Sequence, residues 1–201
     1  MIKAVFFDVG GVLISDNSID ILKRQSRFLR ISYRMLRDDM RPDHILLMKG
    51  LIARREYLLR LAKKFQLSPI KVRNLRRLFL RQRYFREGWA VAKRLRSNGY
   101  IVGIISNAMP PMPFNRRSKL LNTASRIFRP IVLSYRVKSV KPEKRIFDIA
   151  RKRSRVKFSE MAFLDDRPRN VRAAKRLGIK AFVYKNPAKM VKSLRRLGVR
   201  I

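Results

Sequence analysis

Apolar residues follow two rhythms along this chain, and the rhythms divide it into parts. Five short runs are almost continuously apolar: from Lys3 to a stop at Asp8, Tyr100–Ile105, Pro130–Ser134, Met161–Leu164 and Lys180–Tyr184. Runs this short, rich in β-branched and aromatic residues and lacking alternation, predict strands covered on both faces. Between them the apolar residues recur at helical spacing. Gly88–Ser97 carries Trp89, Val91, Ala92 and Leu95 and ends at Asn98-Gly99. Pro142–Arg153 places Ile146, Ile149 and Ala150 on one face, with Pro142 suited to a first helical turn. Arg169–Leu177 and Ala188–Leu197 are closed by Gly178 and Gly198. Strand and helix in alternation predict right-handed crossovers and a parallel sheet, hence an α/β core of doubly wound, Rossmann-like type.

The interval 16–86 has a different rhythm. It carries almost no strand signal, and Ile19–Met35, Ile52–Phe65 and Ser68–Tyr84 read as helices. Asn17 or Ser18, and Ser68, are suitable N-caps. This predicts a helical domain over 16–86 inserted directly after the first strand, with the α/β core formed by 1–15 and 87–201.

Composition narrows the chemistry. The 201 residues suffice for one α/β domain with a sizeable insertion. There is no cysteine and one histidine, His44, which excludes disulfides, thiolate nucleophiles, cysteine-ligated zinc and a multi-histidine metal site. No apolar stretch reaches bilayer length, and Asp8 interrupts the first run with no cleavage site after it. The expectation is a soluble, cytoplasmic protein with no membrane association. Lys and Arg number 51 against 13 Asp and Glu, a net charge of +38. A field of that size attracts polyanions, including nucleic acids, in a salt-dependent and non-specific way. The basic residues are spread from Lys23 to Arg200, with no nucleic-acid-binding motif concentrating them. In the insertion, Arg73, Arg76, Arg77, Arg81, Arg83 and Arg86 form a solvated face or line the entrance to a site for anions.

Polar residues fall where the apolar runs stop. Asp8 ends the first run and is followed by Gly10 and Gly11; Ser106-Asn107 ends the second; Asp165-Asp166 ends the fourth; Lys141 lies in the loop after the third. The carboxyl ends of parallel strands are where open α/β sheets carry their chemistry. A carboxylate there is costly to bury unpaired, so a metal ion or a positive side chain has to compensate it. Together these residues are the parts that phosphoryl transfer through a carboxylate needs: a nucleophile, a hydroxyl and amides for phosphate oxygens, a cation, and carboxylates for magnesium.

The segments Phe6–Leu13, Gly99–Asn107, Val140–Ala150 and Phe163–Phe182 resemble the haloacid dehalogenase (HAD) superfamily, specifically its phosphatase-like members with a helical cap after the first strand. The resemblance spans essentially the whole chain. It implies that the first strand is central in the sheet and that Asp8 is the nucleophile that becomes an aspartyl-phosphate. It implies magnesium as cofactor, held by Asp8, the Gly10 carbonyl, Asp165 and Asp166. It also implies phosphate contacts from Ser106, Asn107, Gly11 and Lys141, the last pairing with Asp8 as well. The implied reaction is magnesium-dependent hydrolysis of a small phosphorylated metabolite. The alternatives are a metal-independent haloacid dehalogenase, which the Asp165-Asp166 pair disfavours, and a nucleic-acid-associated basic protein on the same scaffold.

Two positions depart from the family pattern. Many family phosphatases carry a second aspartate two residues after the nucleophile, as general acid and base. Here Gly10 stands there, as in some family variants, and the missing acid is worth about two to four orders of magnitude in rate. Asp16 is the nearest acidic residue in sequence. Arg136 and Lys138 replace an acidic residue and a glycine common before the lysine, so the loop presenting Lys141 carries extra positive charge.

Overall fold

The computed structural model describes residues 1–15, 18–77, 83–109 and 124–201. Asp16, Asn17 and Arg81 lie outside them. The strands are β1 (Ala4–Phe7), β2 (Ile101–Ser106), β3 (Ile131–Leu133), β4 (Met161–Asp165) and β5 (Lys180–Val183), in the order β3-β2-β1-β4-β5. Every neighbouring pair is parallel, and β1 is central. The absence of alternation in the sequence has its cause in the layers. Val5 and Phe7 point to one face, where they pack with Ala92 and Leu95 of α6 (Arg86–Ser97) and with Met190 and Leu194 of α10 (Pro187–Arg195). Ala4 and Phe6 point to the other, packing with Ile146, Phe147 and Ala150 of α8 (Lys144–Ser154) and with Val171 and Ala174 of α9 (Pro168–Arg176). With both faces buried, every position of β1 is apolar, and β2 and β4 turn polar only at their carboxyl ends.

Between β1 and β2 run α1 (Ser18–Leu29), α2 (Tyr33–Asp39), α3 (Arg41–Met48), α4 (Arg54–Lys64) and α5 (Pro69–Arg77). They enclose a core of their own that includes Leu22, Leu36, Met40, Leu47, Tyr57, Leu61 and Leu75. The chain leaves and re-enters the sheet domain through a short stem. Ile14 bridges Tyr84 in antiparallel fashion, Ser15 N–H donates to Arg83 O at 2.8 Å, and Phe85 N–H donates to Leu13 O at 3.0 Å.

Several helices differ from their expected extents. The helix expected over 19–35 is two. Arg30 adopts a left-handed conformation with φ 57°, and Ser32 caps α2 by accepting from Met35 N–H at 3.1 Å. The apolar spacing gives no sign of helix α3, because its eight residues bury only His44, Leu47 and Met48, too few to set a clear period. After β3 comes the single turn α7 (Ser134–Val137), and Pro142 lies before α8 instead of in its first turn, because Glu143 is the N-cap. Pro168 and Pro187 do occupy first-turn positions in α9 and α10. Among the described residues no helix is long and apolar enough to cross a membrane.

Candidate active site

Parallel register brings together residues that lie far apart in sequence. Phe7 is level with Ile104 on β2 and with Leu164 on β4. The next residue of each strand is therefore Asp8, Ile105 and Asp165, so two carboxylates emerge side by side at the carboxyl edge, with Ser106 one step further on. Asp8 N–H donates to Leu164 O at 2.8 Å, which carries the ladder up to the carboxylate. The chain then folds back on itself: Leu13 and Ile14 N–H both donate to Val9 O, at 2.8 and 3.0 Å. That loop requires Gly11. Its φ is 77°, and a Cβ there would stand 2.7 Å from Asp166 Oδ2. Gly11 N–H donates to Ile14 O at 2.8 Å, so a phosphate oxygen at this position would share a donor already in use.

Lys141 fills the space between the carboxylates. Its side chain is fully buried, with Nζ 2.6 Å from Asp165 Oδ2 and 2.9 Å from Asp8 Oδ1. Nζ also donates to Ile105 O at 2.8 Å and lies 5.3 Å from the Phe163 ring centroid. Burial penalises the ammonium, but Asp165 and then Asp8 outweigh it, and the Lys141 pKa stands above the ordinary lysine value. Asp8 moves the other way for a carboxyl. Burial pushes it up to about 7, Lys141 opposes the rise, and Asp165 adds to it. Asp8 Oδ1 also accepts Val9 N–H at 2.7 Å, which fixes the orientation of the carboxylate.

Asp8, Asp165 and Asp166 each offer an oxygen within 4.8 Å of the others. The three carboxylates make an all-oxygen donor set, which suits a hard divalent cation. The space that a Cβ at Gly11 would fill is what lets Asp166 join the group. A magnesium ion therefore fits the residues present.

Asn107 and Asn170 have roles that the sequence did not disclose. The Asn107 side chain holds the backbone of Lys141 in both directions: Nδ2 donates to Lys141 O at 2.9 Å and Oδ1 accepts Lys141 N–H at 2.7 Å. Asn170, on α9, is almost completely buried and donates through Nδ2 to both oxygens of Asp165 at 3.0 Å, while Arg167 N–H donates to Oδ1 at 2.8 Å. Its only signal in the sequence is an asparagine five residues past Asp165, in the first turn of the helix that follows. Asn170→Ala removes two hydrogen bonds to a buried carboxylate, and is expected to cost about 1–3 kcal/mol, read as a lowered denaturant midpoint with unchanged slope.

His44 belongs to the insertion's interior and not to this cluster. It packs edge-on to Tyr57, 6.1 Å between ring centroids, and its pKa is pulled down to about 4 by burial, with Arg167 and Arg169 adding to the shift.

A sheet of this order, with catalytic-type residues at its carboxyl edge and a helical insertion after β1, has counterparts among known proteins. A family model described as haloacid dehalogenase-like hydrolase matches residues 2–178, and the chain belongs to this family. A structure described as a predicted HAD-like family hydrolase from Porphyromonas gingivalis superposes with a TM-score of 0.75 at 25% identity, covering 100% of both chains. A HAD family enzyme from Bacteroides thetaiotaomicron, in its magnesium complex, gives a TM-score of 0.68 at 25% identity over 92% of this chain and 93% of that one. The same enzyme with magnesium and inorganic phosphate gives 0.68 at 24% identity over 92% and 95%. A search of curated proteins gave no match.

Proposed function

We propose that this protein is a magnesium-dependent phosphatase acting on a small phosphomonoester through an aspartyl-phosphate on Asp8. The observation that carries the reading is Lys141 Nζ, seated between Asp8 and Asp165 in a cluster completed by a third carboxylate. That third carboxylate, Asp166, favours phosphate chemistry over metal-independent dehalogenation, for which one aspartate and one lysine suffice.

In this reading magnesium is held by Asp8, the Gly10 carbonyl, Asp165 and Asp166. When bound it neutralises charge where an anionic nucleophile meets an anionic substrate. An Asp8 oxygen forms a bond to phosphorus as the bond from phosphorus to the alcohol oxygen breaks, and the alcohol leaves with a proton from solvent. Water then attacks phosphorus, which restores the Asp8 carboxylate and releases inorganic phosphate. Lys141 keeps Asp8 oriented and stabilises charge on the transferring group. The Ser106 hydroxyl, the Asn107 amide and Gly11 receive phosphate oxygens. The insertion, which we place at 16–86, covers the strand ends and limits water. With glycine at position 10, no carboxyl is delivered from that position to the leaving group, so aryl and other good leaving groups are favoured.

The test is turnover of an aryl phosphate with and without magnesium, combined with acid quenching and mass spectrometry of the Asp8 peptide. Magnesium-dependent turnover and a phosphoryl adduct on Asp8 are expected. Turnover that survives chelation, with no adduct, would overturn the reading.

A further inference from the structure

The end of α3 touches the sheet domain through three successive residues, and all three contacts fall on the segment that presents Lys141. Met48 O accepts a hydrogen bond from Ser134 Oγ at 2.6 Å. Lys49 Nζ pairs with Glu143 Oε1 at 2.7 Å. Gly50, with φ 66°, lies so close to Tyr135 that a Cβ would stand 2.6 Å from its carbonyl oxygen. The contacts continue inward. Ser134 Oγ accepts Ala108 N–H at 2.9 Å, directly beyond Ser106-Asn107. The second oxygen of Glu143, Oε2, accepts Ser139 Oγ–H at 2.9 Å and Val140 N–H at 3.3 Å, which closes the turn immediately before Lys141. Lys141 itself is bracketed by Asn107.

We infer that Lys49 and Glu143 are positioning residues that couple docking of the helical insertion to the placement of Lys141. Glu143 has two oxygens and uses them on two different bodies: one on the insertion's ammonium, the other on the turn of the lysine loop. Burial works to raise its carboxyl, but Lys49, Ser139 and Val140 outweigh it, so Glu143 stands below the ordinary glutamate value and is ionised at neutral pH. When the insertion is docked, the turn is held by a carboxylate that is itself fixed. When it lifts, Glu143 loses one of its anchors and the turn is free to relax, taking with it the backbone that aims Lys141 between Asp8 and Asp165. Lys49 is the informative residue because its ion pair reaches the lysine loop through Glu143. The inference rests on the reading of Lys141 as the catalytic lysine, and its test separates the two.

The structural arm is amide hydrogen exchange in the metal-free protein. Lys49→Met is expected to speed exchange at Val140 and Lys141 by about two- to fivefold, the scale of a partly exposed ion pair. Glu143→Gln is expected to speed it more, and the double variant no further than Glu143→Gln alone, because the two residues act in series. Amides of Val5 and Phe6 in β1 stay unchanged, which shows that the fold is intact. Arg60→Met, which breaks exposed pairs with Asp43 and Glu56 elsewhere in the insertion, leaves Val140 and Lys141 unchanged. The kinetic arm is aryl phosphate turnover: Lys49→Met lowers kcat by a similar factor with KM preserved, and Lys49→Arg restores it. Unchanged exchange at Val140 and Lys141 in Lys49→Met overturns the coupling, even if the protein is an active phosphatase. A response in exchange in a protein with no turnover sustains the coupling and sinks the phosphatase reading instead.

Discussion

Asp8→Asn is expected to lower turnover by at least about four orders of magnitude while making the metal-free protein more stable. The first effect follows from removing the nucleophile, since losses of this size accompany deletion of a covalent catalyst's attacking group. The second follows from the environment of Asp8. Burial pushes its carboxyl up to about 7, against an opposing pull from Lys141 and with Asp165 adding to the rise. Between the unfolded value of 3.8 and that of the folded protein, the native state holds a proton that the unfolded chain has released. Stability therefore falls as pH rises through this window, and the full penalty is present above it. Asparagine carries no such charge. Thermal unfolding with a chelator present should show the variant melting at least about 2 °C higher than the parent at pH 8, with the difference vanishing near pH 4. A variant that melts lower at pH 8 would mean that the Lys141 pair outweighs the burial penalty, against the direction assigned here.

Lys141→Met is expected to have the opposite effect on stability. The substitution keeps the volume of the side-chain stem but removes the cation paired with Asp8 and Asp165, leaving both carboxylates buried without it. Breaking a buried pair in this way costs about 3–5 kcal/mol. The raised pKa of Lys141 means that its contribution in the parent protein is complete below the unfolded lysine value and is lost only as pH rises through the folded one. The parent therefore has the full contribution at every pH from 4 to 9. Any pH dependence of the loss comes from Asp8: it shrinks toward pH 4, where that carboxyl is protonated, and is largest near pH 8. Magnesium should recover part of it, because a second source of positive charge reaches the same oxygens. Turnover should fall about 10²–10³-fold, the scale for removing one preorganised group that stabilises transition-state charge. Chemical denaturation at pH 5 and pH 8, with and without magnesium, checks all three. Equal stability of variant and parent at pH 8 without metal would contradict the role given to Lys141.

Much of this site is legible in the chain because each strand is a short apolar run that stops on a polar residue. Asp8, Ser106 and Asp165 are all strand-end residues of this kind, and a parallel sheet puts all its strand ends on one edge. Lys141 is harder to read. It follows no strand directly, it is one of 51 basic residues, and its own surroundings do not set it apart from Arg136 and Lys138 as the resemblance does. Asn107 follows the last residue of β2, and its side chain holds the Lys141 backbone. Asn170, Ser134, Glu143 and Lys49 carried no usable signal. Their roles depend on partners 5 to 94 positions away, and hydrophobic periodicity reports which face of an element is buried, not which loop will lie opposite it.

The break between α1 and α2 marks the same boundary. A capping serine and one left-handed arginine interrupt a pattern that would otherwise run on as a single helix, and capping is a local choice that apolar spacing does not reveal. By itself the sequence determined the class of fold, the inserted helices and the identity of the carboxylates, because these follow from burial patterns and from the small number of acidic residues. Only the tertiary structure decided that Lys141 bridges Asp8 and Asp165, that Asp166 fits because Gly11 has no side chain, and that the insertion is bonded to the lysine loop. Those facts are distances across the sheet edge, and they are settled by parallel register and close packing between segments that the chain keeps far apart.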